Sequence, residues 1–188
     1  MPPEAIDALV TTMHAMSGGT SEVAAGAAAS NLDLYQVNCT FYDALGADDH
    51  AYLAARAIQF FVPGIPQVYY VGALAGRNDM ELLRRTGIGR DINRHYYART
   101  EIAADLKRPV VAALIALCKF RTEFPVFDGD HVFGMSDDGM TLTLHWKDRR
   151  DWVELTVFVG DASVNLAWSH KGVEGHTDDL LTDPPAID

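Results

Sequence analysis

The run Ile65-Pro-Gln-Val-Tyr-Tyr-Val71 constrains the fold of this chain more than any other segment. It is short, apolar and rich in β-branched and aromatic residues, with no alternation between a wet and a dry side. A strand of that composition belongs in a parallel sheet covered by helices on both faces. The preceding residues agree. Asp48 or Asp49 can cap a helix reaching about Phe61, with Leu53, Ala54, Ala57, Ile58 and Phe61 on its apolar face, and Pro63-Gly64 breaks it. Helix, break, buried strand is the rhythm of an α/β fold.

The remaining elements read as follows. Pro3 suits a first helical turn, Ile6, Leu9, Val10 and Met13 recur at helical spacing, and Gly18-Gly19 stops the helix. Residues 20–30 are small and Ala/Gly-rich, which predicts a tight loop or a closely packed backbone. Residues 31–39 are too polar for a buried strand and read as loop. Residues 79–85 predict a short helix closed by Gly87. Residues 89–97 show no clean period. Thr100 can cap a helical turn to Leu106. Pro109 starts a stronger helix whose core face is Val110, Val111, Leu114, Ile115, Cys118 and Phe120. After Pro125 short alternating runs appear at 131–135, 140–146, 152–159 and 164–168, separated by turn residues. They predict a small antiparallel sheet with one wet face. The expected division is therefore 1–124 and 125–188.

Net charge, 15 − 26 = −11, argues against nucleic acid and anionic membranes as partners. It is unevenly spread: residues 77–121 carry ten basic and five acidic side chains, residues 128–188 four basic and thirteen acidic. An anion would therefore bind in the central stretch. No window resembles a membrane span or a secretion signal, and two distant cysteines, Cys39 and Cys118, fit buried free thiols in a reducing cytoplasm. The seven histidines lack metal-ligand spacing, and no phosphate-binding glycine loop or nucleophile elbow occurs, so neither metal nor cofactor is expected.

Four segments together, NLDLYQVNCTFYDALG, AARAIQFFVPGIPQVYYVGALAG, GRDINRHYY and RPVVAALIALCKFR, resemble the sucrose phosphorylase family, within the α-amylase-like glycoside hydrolase superfamily. The closing DDLLTDPP extends the similarity. The pairing of LDLYQVN with GRDINRHYY is the specific part. GIPQVYYVG alone matches only the superfamily's eighth-strand pattern. The resemblance implies the C-terminal part of a (β/α)8 TIM barrel followed by a small antiparallel β domain. Residues 65–71 would be strand eight and 51–61 the helix before it. Residues 2–47 and 79–106 would be loop excursions at the barrel's C-terminal face, where such enzymes keep their sites. Residues 110–122 would be the last barrel helix.

The implied reaction is reversible, retaining phosphorolysis of sucrose to α-glucose 1-phosphate and fructose. Retention needs a carboxylate nucleophile and an acid/base carboxyl about 5 Å apart. The family adds a third, stabilising carboxylate, and all three are expected upstream of Met1, because no Asp or Glu here matches them. The chain alone is therefore expected to be inactive. What it would supply is a two-position acceptor loop. Asp33 and Gln36 would meet fructose, and Leu34 and Tyr35 share the loop. Tyr35 would replace Asp33 when phosphate enters, because a carboxylate repels the dianion while a phenol donates to it. Arg90 would hold the glucose ring. The resemblance also implies a homodimer for the complete enzyme. Related glucosides (sucrose 6-phosphate, glucosylglycerate) are alternative substrates, although Asp33 would repel a phosphorylated acceptor. A non-catalytic carbohydrate-binding module is the competing class.

Overall fold

A computed structural model of the chain describes residues 2–27 and 37–187. These residues fall into two compact units, Met1–Asp48 with Val68–Leu106, and Asp49–Gln67 with Lys107–Asp188.

The first unit is helical. α1 (Pro3–Met16) forms where Pro at the first position presets its backbone, but none of its residues is buried and Leu9 is half exposed. α2 (Thr20–Ala27) occupies much of the segment expected to be a tight loop or a closely packed backbone, because alanine is the best helix former and Gly18-Gly19, both at positive φ, turn the chain between the helices. α3 (Phe41–Ala44) is one turn, capped by the Thr40 side chain, which accepts the Asp43 N–H at 3.2 Å. α5 (Tyr70–Ala73) is another single turn. α6 (Met80–Thr86) behaves as its sequence indicates: Asp79 caps it by accepting the Leu82 N–H at 2.7 Å, and Gly87 ends it in the left-handed region at φ 67°. A 3-10 turn, Gly89–Asn93, and α7 (Arg99–Asp105) complete the unit.

The second unit is a five-stranded antiparallel meander packed on two helices. α4 (Asp49–Phe61) and α8 (Pro109–Glu123) lie together, and β1 (Asp130–Met135), β2 (Thr141–Asp148), β3 (Asp151–Phe158), β4 (Ser163–His170) and β5 (Val173–Thr177) follow in spatial order. Alternation decides the faces: Leu144 and Trp146, Val153, Leu155 and Val157, and Val164 and Leu166 point inward and are buried. Phe61, Phe120, Phe124 and Phe127 meet edge to face, with Phe61–Phe127 at 5.1 Å and Phe120–Phe124 at 5.4 Å between ring centroids. α4 stops at Pro63-Gly64, leaving carbonyls without helical partners. Tertiary donors satisfy two of them: the Arg121 Nε donates to the Phe60 O at 2.7 Å and the Trp146 indole N–H to the Phe61 O at 2.6 Å.

Residues 65–71 are not a strand. Residues 65–69 have no regular structure, α5 begins at Tyr70, and Ile65 is 92% exposed. The physical reason is pairing. A parallel strand exists through neighbours on each side, and the described strands all belong to the antiparallel meander. β5 went unpredicted because VEGHT is polar and mostly exposed. Cys39 and Cys118 are free thiols, half-buried rather than buried. Among the described residues no helix is long and apolar enough to cross a membrane.

Candidate functional site

Asp33, Leu34, Tyr35 and Gln36 lie outside the described residues. Their flanks do not, and one side chain joins both. Asp43, on α3 and almost fully buried, fixes the approach: its Oδ1 pairs with the Arg77 Nε at 2.6 Å and its Oδ2 accepts the Asn78 N–H at 2.7 Å. The Asn78 Oδ1 then accepts the Thr40 N–H at 2.7 Å. Its Nδ2 donates to the Thr20 Oγ1 at 2.8 Å and to the Cys39 Sγ at 3.4 Å. Thr40 N–H can only donate, which settles which amide atom is oxygen. Asn93 adds a bond to the Cys39 O at 3.4 Å. On α2, Ala24 packs against Leu83 and Ile92 in a small apolar cluster completed by Met80. The start of α2 and residues 39–40, one on each side of residues 28–36, are thus both fastened to residues 78–93. Burial raises the Cys39 thiol above its ordinary pKa, partly offset by the Asn78 amide.

Arg90 stands on that same segment, exposed on the turn Gly89–Asn93 while its neighbours Gly89, Asp91 and Ile92 are buried. The backbone beneath it is held. The Asp79 N–H donates to the Ile92 O at 2.7 Å, closing the base of the turn.

His95 is part of this frame. Its Nδ1 lies 2.6 Å from the Asp79 Oδ2 and its Nε2 3.4 Å from the Glu101 Oε1. The Glu101 Oε2 in turn accepts the Ala98 N–H at 2.6 Å, starting α7. The Tyr70 hydroxyl donates to the His95 O at 3.0 Å, and the Tyr97 ring stands on the imidazole at 4.5 Å between centroids. Gly76 admits Tyr97: a Cβ there would strike its hydroxyl and Val71. The bond to Asp79, helped by the one to Glu101, raises the His95 pKa against the opposing effect of burial. Burial would raise the Asp79 carboxyl, but the Leu82 N–H and then His95 outweigh it and hold it low. The Ala98 N–H, followed by His95, lowers Glu101. No sequence pattern announces Asn78 or His95. Their partners lie up to 58 residues away.

This arrangement can bind and orient. Its carboxylates Asp43, Asp79 and Glu101 are engaged in the frame, and no group of three His, Cys, Asp or Glu among the described residues could hold a metal.

No family model matches the chain. The sucrose phosphorylase of Bifidobacterium adolescentis is 51% identical over 195 residues, covering 100% of this chain and 38% of that protein. The sucrose phosphorylase of Agrobacterium vitis is 56% identical over 169 residues, 90% of this chain and 34% of that protein. Over nearly its whole length the chain is similar to proteins of the sucrose phosphorylase family. It matches a C-terminal part of the family's proteins and spans little more than a third of their length. Among solved structures, the family's sucrose 6F-phosphate phosphorylase from Thermoanaerobacter thermosaccharolyticum aligns with TM-score 0.73 and 42% identity, over 77% of this chain and 29% of that one.

Proposed function

We propose that this chain is the acceptor- and glucose-binding portion of a cytoplasmic sucrose phosphorylase. The enzyme would convert sucrose and phosphate reversibly, with retention, to α-glucose 1-phosphate and fructose. Residues 1–124 would complete a (β/α)8 barrel and residues 125–188 form its small β domain, in an enzyme that works as a homodimer. Asp33 and Gln36 would meet fructose, Tyr35 phosphate, and Leu34 would complete the loop. Arg90 would donate to the glucose ring. The nucleophile, acid/base and stabilising carboxylates would come from the barrel strands that this chain does not supply.

The observation that most supports this reading is the joining of both flanks of residues 28–36 to the segment bearing Arg90, through Asn78 and Asn93. Such a frame keeps an acceptor loop and a sugar-binding guanidinium in register, and orientation of this kind is a large part of what enzymes contribute. Arg90 is expected to act mainly on binding, since a contact held equally in ground and transition states changes KM more than kcat.

A second reading, phosphorolysis of sucrose 6-phosphate, draws support from the likeness to the sucrose 6F-phosphate phosphorylase structure. The Asp33 carboxylate speaks against it through repulsion of a phosphorylated acceptor. The test is a hybrid polypeptide in which this chain replaces the matching C-terminal part of the Bifidobacterium adolescentis protein. Given phosphate and either sugar, it should release fructose from sucrose in clear preference. Preference for sucrose 6-phosphate would establish the second reading. Failure of a folded hybrid on both would refute the assignment.

A further inference from the structure

We propose that His95 is a positioning residue for Arg90: by bridging Asp79 and Glu101 it locks the base of the turn Gly89–Asn93 and thereby sets the guanidinium that receives the glucosyl ring. The functional half of this statement rests on the proposed function above. The structural half does not.

Two bonds from Asp79 close the loop that carries Arg90. Its N–H reaches the Ile92 O at 2.7 Å, two residues beyond Arg90, and its carboxylate reaches His95 at 2.6 Å, five residues beyond. The cap that Asp79 provides to α6 fixes Asp79 itself. From the other side Glu101, held by the Ala98 N–H at the start of α7, reaches the second imidazole nitrogen. The polar or titratable groups facing His95 are therefore Asp79 from the α6 cap, Glu101 from α7, the Tyr70 hydroxyl from α5 on its carbonyl, and Tyr97 against its ring. Arg94, the nearest cation in sequence, lies 3.9 Å from Asp91.

Only the imidazolium donates from both nitrogens; neutral histidine donates from one. The shorter bond to Asp79 is the one a neutral His95 keeps, so deprotonation gives up the Glu101 arm. Arg90 would then be held most firmly while His95 is charged. A residue that only filled space would show no such dependence.

Hydrogen exchange on the 188-residue chain tests the lock. In His95→Ala the amides of residues 89–94 should exchange about tenfold faster or more, the equivalent of one lost charge-assisted bond. The β2–β4 amides should keep their rates. His95→Asn, whose amide N–H can replace the Nδ1 donor, should recover most of the protection. In the hybrid enzyme His95→Ala should raise KM for the glucosyl donor about tenfold while leaving kcat within about threefold. The wild-type advantage over His95→Asn should fade as pH rises through the His95 titration. Uniform acceleration of exchange across the chain, an unchanged turn, or equal losses in kcat for all substrates would overturn the proposal. An inactive but folded wild-type hybrid would refute the functional reading alone, because the exchange result in the chain still decides the lock.

Discussion

The two units of this molecule are held by different chemistry. In the unit of Asp49–Gln67 and Lys107–Asp188, aromatic rings and alternating aliphatic side chains fill a core between a meander and two helices. In the unit of Met1–Asp48 and Val68–Leu106, the apolar cluster of Ala24, Leu83 and Ile92 is small. Two polar knots, around Asn78 and around His95, join segments that are distant in sequence. An apolar core contributes by area and tolerates rearrangement of its members. A polar knot contributes less, yet fixes directions, since each bond has a preferred angle and an unsatisfied buried partner is costly. Stability and orientation are thus divided between the units, and the candidate binding groups stand on the one organised by direction.

The sharpest way to break this contrast is Phe120→Ala. Phe120 is fully buried among Phe124, Phe127 and Trp168, so its loss should cost about 3–5 kcal/mol in denaturant unfolding. A cost near that of a surface substitution would mean that the aromatic core is not what stabilises this unit. Asn78→Ala should cost less, about 1–2 kcal/mol, and its effect should be local. The Thr40 amide loses its acceptor and should exchange faster while the sheet remains protected. Acceleration spread evenly over both units would erase the distinction.

The pH dependence should sharpen it further. The folded-state pKa of His95 is raised above 6.5, so its contribution is complete below that value and is lost as pH rises through the folded pKa. The Asp79 pKa is lowered below 3.8, so its contribution is complete above that value and lost as pH falls through the folded one. The knot should be firmest between about 3.8 and 6.5, read as exchange protection at residues 89–94 relative to the sheet. A knot that tightens as pH rises above neutrality would contradict the assigned partners. The smallest effect on folding belongs to Arg90→Ala, within about 0.5 kcal/mol by denaturant unfolding, because the side chain is exposed. In the hybrid enzyme the same change should raise KM for the glucosyl donor about tenfold to a hundredfold.

Local signals in the sequence were legible where the responsible residues are neighbours. Asp79 before α6 and Gly87 after it are read from adjacent positions, and so are Pro109 at the start of α8 and the alternation of β2 to β4. The misreadings have different causes. Residues 65–71 have strand composition without described strands to pair with, and α2 forms from small residues that equally suit a loop. Of the candidate site, Arg90 is placed on an exposed turn, whereas the Asp33, Leu34, Tyr35 and Gln36 assignment rests on motif resemblance. Asn78 and His95 carried no signal. An asparagine before a helix and a histidine among tyrosines have no period, and their roles exist only once segments 16 to 58 residues apart meet.

The proposed role of this chain is to bind and orient substrate for carboxylates supplied from the rest of a phosphorylase. It is tested by measuring initial rates of phosphate-dependent fructose release from sucrose for the 188-residue chain and for the hybrid polypeptide side by side. The hybrid should turn over sucrose, and the chain should show no rate above background, because loss of catalytic carboxylates costs about 10⁴-fold or more. Turnover by the chain alone, or a folded hybrid that releases no fructose, would contradict the account.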